Sequence, residues 1–237
     1  LQFVLDPLGF VQYDIPWGQG ELADSPSLRQ WQANILGLIG SHLQNPATRY
    51  DPLLISVASG KGIGKSALVA FITLWALSTC DDAKEVLTAN TDTQLRTKTW
   101  PEIGKWFRLA LNSGWFNVEA ESISIKDPAH KRLWRCDRIP WTETNTEAFA
   151  GLHNQGKRIV VIFDEASAIA DKIWEVVEGA LTDEQTEIIW LCFGNPTRTD
   201  GRFRECFGKF RHRWKTFQID SRYVEGTNKK ELQQQID

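Results

Sequence analysis

The sequence predicts an α/β fold, with a mostly parallel central sheet flanked by helices. Three apolar runs carry that prediction. Leu53–Ser66 (LLISVASGKGIGKS) reads as a buried strand, a glycine turn and a helix opening on Lys65 and Ser66. Arg158–Ala166 (RIVVIFDEA) is a β-branched and aromatic run that ends in two acids. Glu187–Phe193 is a third such run, closed by Gly194, Asn195, Pro196 and Thr197. Continuous apolar runs of this length suit strands buried on both faces, as in a parallel sheet. Apolar residues at helical spacing lie between them and supply the crossovers that parallel strands need.

The first run is built for phosphate. Gly60, Gly62 and Gly64 accept backbone angles that a side chain forbids, so successive amides can turn inward around an anion. The helix that follows adds partial positive charge at its start. In this pattern Ser59 to Ser66, with Lys61 and Ile63 between the glycines, form the nucleotide-binding loop. Lys65 reaches the β- and γ-phosphates and Ser66 sits on Mg²⁺. The usual pattern places Gly six residues before the Lys, and here that position is Ser59. The second run supplies the other half. Acids at the C-terminal end of a parallel strand stand where open α/β sheets bind ligands. Asp164 is read as the Mg²⁺ carboxylate, acting through water, and Glu165 as the group that takes a proton from, or orients, the attacking water.

Bulk properties narrow the class. The chain has 237 residues and a net charge of −3, so a strongly basic nucleic-acid coat is excluded and any DNA contact must be local. The apolar runs are too short to span a membrane and no secretory leader is visible. The four cysteines, Cys80, Cys136, Cys192 and Cys206, lack paired-ligand spacing and read as reduced, buried thiols. The absence of Met and the polar helical ending at Gln233–Asp237 read as a fragment of a longer protein.

Taken in order, residues 1–24 read as an irregular arm punctuated by Pro and Gly, pinned by Phe3, Phe10, Tyr13 and Trp17. Ser25 is expected to cap a helix with Pro26 at its first position. Leu28, Trp31, Ile35, Leu38, Ile39 and Leu43 make that helix's apolar face. Gln32 is either an adenine-reading amide or a surface amide beside a core Trp. Ala67–Thr79 is apolar nearly all round and reads as a buried helix, followed by a short strand at Val86–Ala89. A helix from about Asp92 to Asn112 should kink or break near Thr99, because Pro101 interrupts it. Its Arg96, Lys98 and Lys105 either face DNA or a solvated surface. Ser122–Ile125 and Arg132–Cys136 alternate like paired strands. Thr142–Leu152 leads into the acid-bearing strand. Beyond it, Ile169, Ile173, Trp174, Val176, Val177 and Leu181 mark a helix. Asn195 either senses a γ-phosphate or simply starts an Asn-Pro turn. Residues 198–215 are locally basic, and Arg198, Arg202 and Arg204, with Arg158 upstream, are the phosphate-contacting or trans-acting arginines to consider against a solvated face. Trp214–Ile219 is a last strand. Most of the eleven tryptophans occupy apolar positions, where core packing is the default over base stacking.

SGKGIGKS, the VVIFDEA strand end, FGNPTRTDGRF and the closing FQIDSR resemble, in this order and spacing, the ATPase domain of the large terminase subunit of tailed bacteriophages or a prophage copy. The resemblance covers roughly residues 25–222. It implies an ATP-hydrolysing P-loop domain of the additional-strand, catalytic-Glu type at 25–219, an N-terminal arm at 1–24, and a linker at 220–237 toward an absent C-terminal nuclease domain. The extra strand is matched to Val86–Ala89. It further implies ATP as substrate, Mg²⁺ as cofactor and Lys61 as the loop cation that helps couple γ-phosphate to motion. Asn195–Thr197 correspond to a coupling motif, and Trp31–Gln32 to the adenine side. The implied partners are double-stranded DNA, a portal protein, a small terminase subunit and further copies in a ring on the portal, with a monomer possible in isolation. The implied location is the host bacterial cytoplasm, transiently on the procapsid. No nuclease activity is expected of this stretch. The rival readings are a helicase or other translocase with the same core, and a nucleotide-dependent docking module that barely hydrolyses alone.

Overall fold

The computed structural model describes residues 2–89, 91–141, 149 and 152–234. The expected approach to the acid-bearing strand, Thr142–Leu152, lies outside the described residues except for Phe149 and Leu152.

Eight strands form one sheet: β1 Leu53–Ser59, β2 Lys84–Ala89, β3 Phe116–Val118, β4 Ser122–Ile125, β5 Arg135–Arg138, β6 Arg158–Asp164, β7 Glu187–Gly194 and β8 Lys215–Ile219. Their order is β3-β4-β5-β2-β6-β7-β1-β8. Among the described residues β4 alone runs against the rest, pairing antiparallel with β3 and β5. The helices are α1 Pro7–Asp14, α2 Gln30–Gln44, α3 Lys65–Thr79, α4 Asp92–Gln94, α5 Trp100–Leu109, α6 Asp171–Ala180, α7 Arg202–Glu205 and α8 Lys229–Gln234.

The period-2 alternation of the central strands splits the core into two layers. In β6, Val160 and Ile162 face α1, α2, α3 and α5, whereas Ile159, Val161 and Phe163 face α6 and α7. Helix α3 is buried nearly all round because it lies between the sheet and the α1, α2 and α5 layer. The tryptophans follow the packing expectation. Trp174, Trp190 and Trp214 form an edge-to-face cluster with Phe163 on the α6 side.

Several local expectations change. The N-terminal arm is not irregular. Asp6 caps α1 by accepting from the Gly9 amide at 2.9 Å, and Pro7 occupies the first turn, where its missing N–H costs nothing. Phe10 is buried and Trp17 packs on Phe71, whereas Tyr13 is 65% exposed. Helix α2 starts at Gln30 rather than after Ser25, because Gln32 closes the turn by accepting from the Arg29 amide. The helix expected from about Asp92, with a kink or break near Thr99, is not broken at Pro101 but is irregular just before it. Pro101 sits in the first turn of α5, and the preceding Leu95–Thr99 widens into a π turn in which the Trp100 amide donates to the Leu95 carbonyl. The strand that lies between β1 and β6 in the sheet is β7, not the strand at Val86–Ala89. β2, which falls between them along the chain, pairs on the outer side of β6. The stretch after Ile219 is not free of the domain either. Val224 is buried in the core, and Ser221 touches the glycine loop.

Candidate functional site

The adjacent strands β6, β7 and β1 all end at one edge of the sheet, and each delivers part of the site there. β1 runs into the loop Gly60–Gly64. The Gly60 carbonyl accepts from Lys65 Nζ at 3.1 Å and the Lys61 carbonyl from the Ser221 hydroxyl at 3.4 Å. The Gly62, Ile63 and Gly64 carbonyls accept from Arg29 at 3.1 Å, from the Trp31 indole at 3.0 Å and from the Gln32 amide at 2.8 Å. The amides of Lys61 to Gly64 meet no protein acceptor among the described residues. Carbonyls engaged by protein donors and amides left free make an anion site. Two glycines are required by geometry. Gly64 has φ of +84° and a Cβ there would meet Gln32 Nε2 at 3.0 Å. A Cβ at Gly60 would meet the Ser221 hydroxyl at 2.2 Å.

Lys65 opens α3 and points back across the loop. Its ammonium donates to Gly60 and to the Asn195 side-chain oxygen at 3.0 Å. Burial pushes it down from the ordinary lysine range, and the carboxylates of Glu165 and Asp164 oppose that shift. Asp164, 4% exposed, ends β6. It accepts from the Thr99 hydroxyl at 2.5 Å and from the Glu165 amide at 3.0 Å. Burial nevertheless holds its carboxyl above the usual carboxylate range. Glu165 has φ of +51°, a left-handed conformation that costs a non-glycine residue about 1 kcal/mol or more. Its carboxylate is left without a hydrogen-bond donor among the described residues, so it is free to act on a bound molecule. Gly194, just before Asn195, lets β7 approach the Ala166–Ala168 turn, since a Cβ there would lie 3.0 Å from Phe203 and 3.1 Å from the Ser167 amide.

The loop residues, Lys65, Asp164, Glu165 and Asn195 are thus brought together. Ser59 is buried at the end of β1, and Ile63 is fully buried beneath the loop. Lys61 is exposed. Ser66 follows Lys65 in the first turn of α3, beside a hollow of about 300 Å³ shared with Arg29, Lys98 and Glu102. No cluster of three or more His, Cys, Asp or Glu able to hold a metal occurs among the described residues. Gln32, read either as an adenine-facing amide or as a surface amide beside a core Trp, is 3% exposed, and both ends of its amide are taken, by Arg29 and Gly64. It braces the loop. Arg158 is fully buried at the opposite end of the sheet, bonded to Glu187 at 2.7 Å, to Thr79 and to the Val4 carbonyl, with its guanidinium 3.9 Å from the Trp75 ring centre. That place excludes it from contact with DNA or a neighbouring subunit. Arg202 is also committed, to Glu178 at 2.6 Å and over Phe210. Arg198 and Arg204 are exposed and line an open cleft of about 830 Å³ with Lys61, Asn195 and Asp220. Thr99 and Arg29 were not read from the sequence as site residues. The interruption by Pro101 was the one available signal, since the π turn before it is what aims Thr99 at Asp164.

No protein-family model matches the chain. A probable large terminase subunit of Enterobacteria phage P7 is 30% identical over 160 residues, a match that takes in 66% of this chain and 32% of the relative. The chain therefore spans about a third of the length of the curated relative it matches. Among solved structures, the large terminase of the thermophilic bacteriophage D6E in complex with ADP superposes with a TM-score of 0.57 at 14% identity, over 82% of this chain and 45% of that one. The large terminase ATPase domain of Thermus phage P74-26 gives 0.52 at 16% identity, over 74% of this chain and 78% of that one. The chain has the large-terminase ATPase fold. Within that fold β6, β7 and β1 supply the edge on which the loop, Asp164, Glu165 and Asn195 converge.

Proposed function

We propose that the chain is the ATP-hydrolysing motor domain of a viral DNA-packaging terminase, which drives double-stranded DNA into a procapsid. The observation that carries this reading is the loop whose carbonyls are engaged by protein donors while its amides stay free, with Lys65, Asp164 and Glu165 around it. The similarity to the P7 protein and the ADP complex of the D6E protein support an adenine nucleotide as the occupant.

Lys65 and the amides of Lys61 to Gly64 neutralise the charge that spreads over the phosphoryl oxygens in the transition state. Glu165 orients the attacking water and accepts its proton. Mg²⁺ fits the residues present. The donors are one hydroxyl, on Ser66, and one buried carboxylate, on Asp164, already held in place by Thr99. That sparse set suits a cation that keeps water and phosphate oxygens as its main ligands. When bound, Mg²⁺ supplies Lewis-acid neutralisation of the phosphates. Asn195 shares Lys65 with the nucleotide's phosphate and so links the end of β7 to the loop. Arg198 and Arg204, with Lys61, are the free cations beside the loop. They are assigned to DNA phosphates or to a neighbouring subunit's nucleotide. Contact with DNA is then to backbone phosphates, without sequence preference, and steeply salt-sensitive. The portal, the small subunit and a ring of copies are the partners this role requires, and the host bacterial cytoplasm is where it is performed.

The test is steady-state ATP hydrolysis across a protein concentration series, with and without linear duplex DNA, beside Glu165→Gln. The expected result is turnover that rises more than proportionally with protein concentration and falls at least a hundredfold in Glu165→Gln, with ATP binding retained. Equal loss of binding and turnover would remove Glu165 from the role given to it. Tight binding with negligible turnover at every concentration would favour a docking module over a motor.

A further inference from the structure

The open cleft of about 830 Å³ beside the phosphate loop has two kinds of lining. One is apolar. Phe203 and Phe207 meet edge to face at 5.5 Å between ring centres, and Pro196 and Ile219 join them in the lining. The other is cationic. Lys61, Arg198 and Arg204 all line the cleft, all three are exposed, and none has a carboxylate partner among the described residues. The acid in the lining, Asp220, is already taken by Arg222 at 2.5 Å. Gly208 leaves room for the Arg204 head, since a Cβ there would meet Arg204 Nη1 at 3.2 Å.

Charge of one sign beside low-dielectric walls focuses its field into a cleft, here in favour of an anion. The fork of an arginine suits the oxygens of a phosphate group, and a phosphate dianion has charge and oxygens enough for more than one cation. The position of the cleft says where such a group comes from. Gly60 and Lys61 open the phosphate loop, Asn195 holds Lys65, and all three belong to the lining. The cleft therefore starts beside the end of the nucleotide that carries the γ-phosphate, the group that hydrolysis sets free. DNA and a neighbouring subunit's nucleotide bring phosphates to these cations from outside. The phosphate nearest to them within the chain is the one cleaved at the loop.

On the reading of the loop as an ATP site, we propose that this cleft is a second phosphate site, which takes up the orthophosphate formed at the loop and holds it on its way to solvent. No bond is made or broken there. The phosphate passes from Lys65 and Asn195 to Arg198 and Arg204 while ADP stays on the loop, and Lys61 belongs to both places.

The test is equilibrium binding of ³³P-labelled orthophosphate to the chain at constant ionic strength. The loop is first filled with Mg²⁺ and the non-hydrolysable analogue AMP-PNP, which occupies the γ-phosphate position as well. Binding of the analogue is measured separately. A chain that does not bind it refutes the ATP reading of the loop and this proposal with it, whereas a chain that binds it and takes up no orthophosphate refutes the second site alone. The expected result is one saturable orthophosphate per loaded chain. The double variant Arg198→Gln/Arg204→Gln should weaken it at least tenfold. Lys172→Gln, which removes an exposed lysine outside the cleft, should leave it within twofold. All three side chains are exposed, so none of these replacements threatens the fold. Dimethyl phosphate, a monoanion with the diester chemistry of a DNA backbone, should bind at least fivefold more weakly than orthophosphate. Uptake that survives the double variant, or that falls as far in Lys172→Gln, would reduce the effect to general surface charge and overturn the proposal. Equal binding of dimethyl phosphate would also overturn it, by making the cleft a reader of DNA phosphates and not a holder of the free product.

Discussion

Glu85 points from β2 into the core at 1% exposure, and its replacement by Gln has a calculable effect. One carboxyl oxygen accepts from the Thr73 hydroxyl at 2.5 Å, while the other has no donor except the weak thiol of Cys136 nearby. Burial raises the group from 4.5 to about 8. Between those values the folded chain holds a proton that the unfolded chain has released. Stability is therefore lost as pH rises through this window, and none of it returns above the folded value. At 1.36 kcal/mol per unit the whole window is worth roughly 5 kcal/mol, of which about 3 falls between pH 5 and pH 8. Gln keeps the shape and the acceptor for Thr73 but does not titrate. Glu85→Gln should therefore have a stability close to the parent at pH 5 and exceed it by about 3 kcal/mol at pH 8. For a domain of this size the thermal midpoints should separate by about 6–12 °C at the higher pH. Other groups that titrate in the window, such as His130 on Asp82, are present in both proteins and cancel in the difference. Thermal unfolding of both proteins from pH 5 to pH 9 is the assay. Parallel curves would mean that Glu85 is ionised in the folded chain and that the argument from burial is wrong.

Thr99→Val removes the hydroxyl that holds Asp164 and costs the charged carboxylate about 1.5–3 kcal/mol of hydrogen bonding. The Mg²⁺ concentration for half-maximal ATP turnover should rise about tenfold, with thermal stability little changed, and an unchanged Mg²⁺ dependence would deny Thr99 its orienting role. Arg158→Leu should lower stability by about 3 kcal/mol or more, because Glu187 is then left buried with only Arg49 at 2.7 Å. DNA stimulation per folded molecule should stay as in the parent, and its loss would return Arg158 to the list of DNA or subunit contacts.

The sequence made the core of the site legible because its chemistry is local. A strand, a glycine turn and a helix start are adjacent in the chain, so Gly60 to Ser66 can be read without knowing the fold. Asp164 and Glu165 are legible for the same reason, as polar residues ending an apolar run. What was not legible depends on which strands are neighbours. Arg158 begins the same strand that ends in Asp164, yet seven residues of β-strand put it some 20 Å away, at the buried end of the sheet. A basic residue in an apolar run is as consistent with a buried pair as with an active arginine. Only the pairing of Arg158 with Glu187 across β6 and β7 decides between them. Gln32 failed similarly. Its capping role is local and readable, but its second bond, to Gly64, spans 32 residues. The helix at Pro7–Asp14 was hidden by its own punctuation. Pro and Gly mark a loop in general, and mark a helix start only when an Asp stands just before them.

The strand order also explains why Asn195 can serve two parts of the site. Because β7 lies between β1 and β6, its end is flanked by the phosphate loop on one side and by the Asp164–Glu165 turn on the other. Asn195 holds Lys65 on the first side. On the second, Thr197 lies 3.5 Å from the Ser167 hydroxyl, and Gly194 leaves no room for a side chain between the strand and the Ala166–Ala168 turn. The chain then passes from Asn195 directly into the segment that bears Arg198 and Arg204 on the open cleft. If the strand expected at Val86–Ala89 had filled the central place, the end of β7 would have stood outside the site and this connection would not exist. A change in what Lys65 binds is therefore felt at Asn195, and Arg198 follows three residues further along the chain. One hydrogen bond, from Lys65 to Asn195, thus joins the helix that opens at the phosphate loop to the segment bearing Arg198 and Arg204.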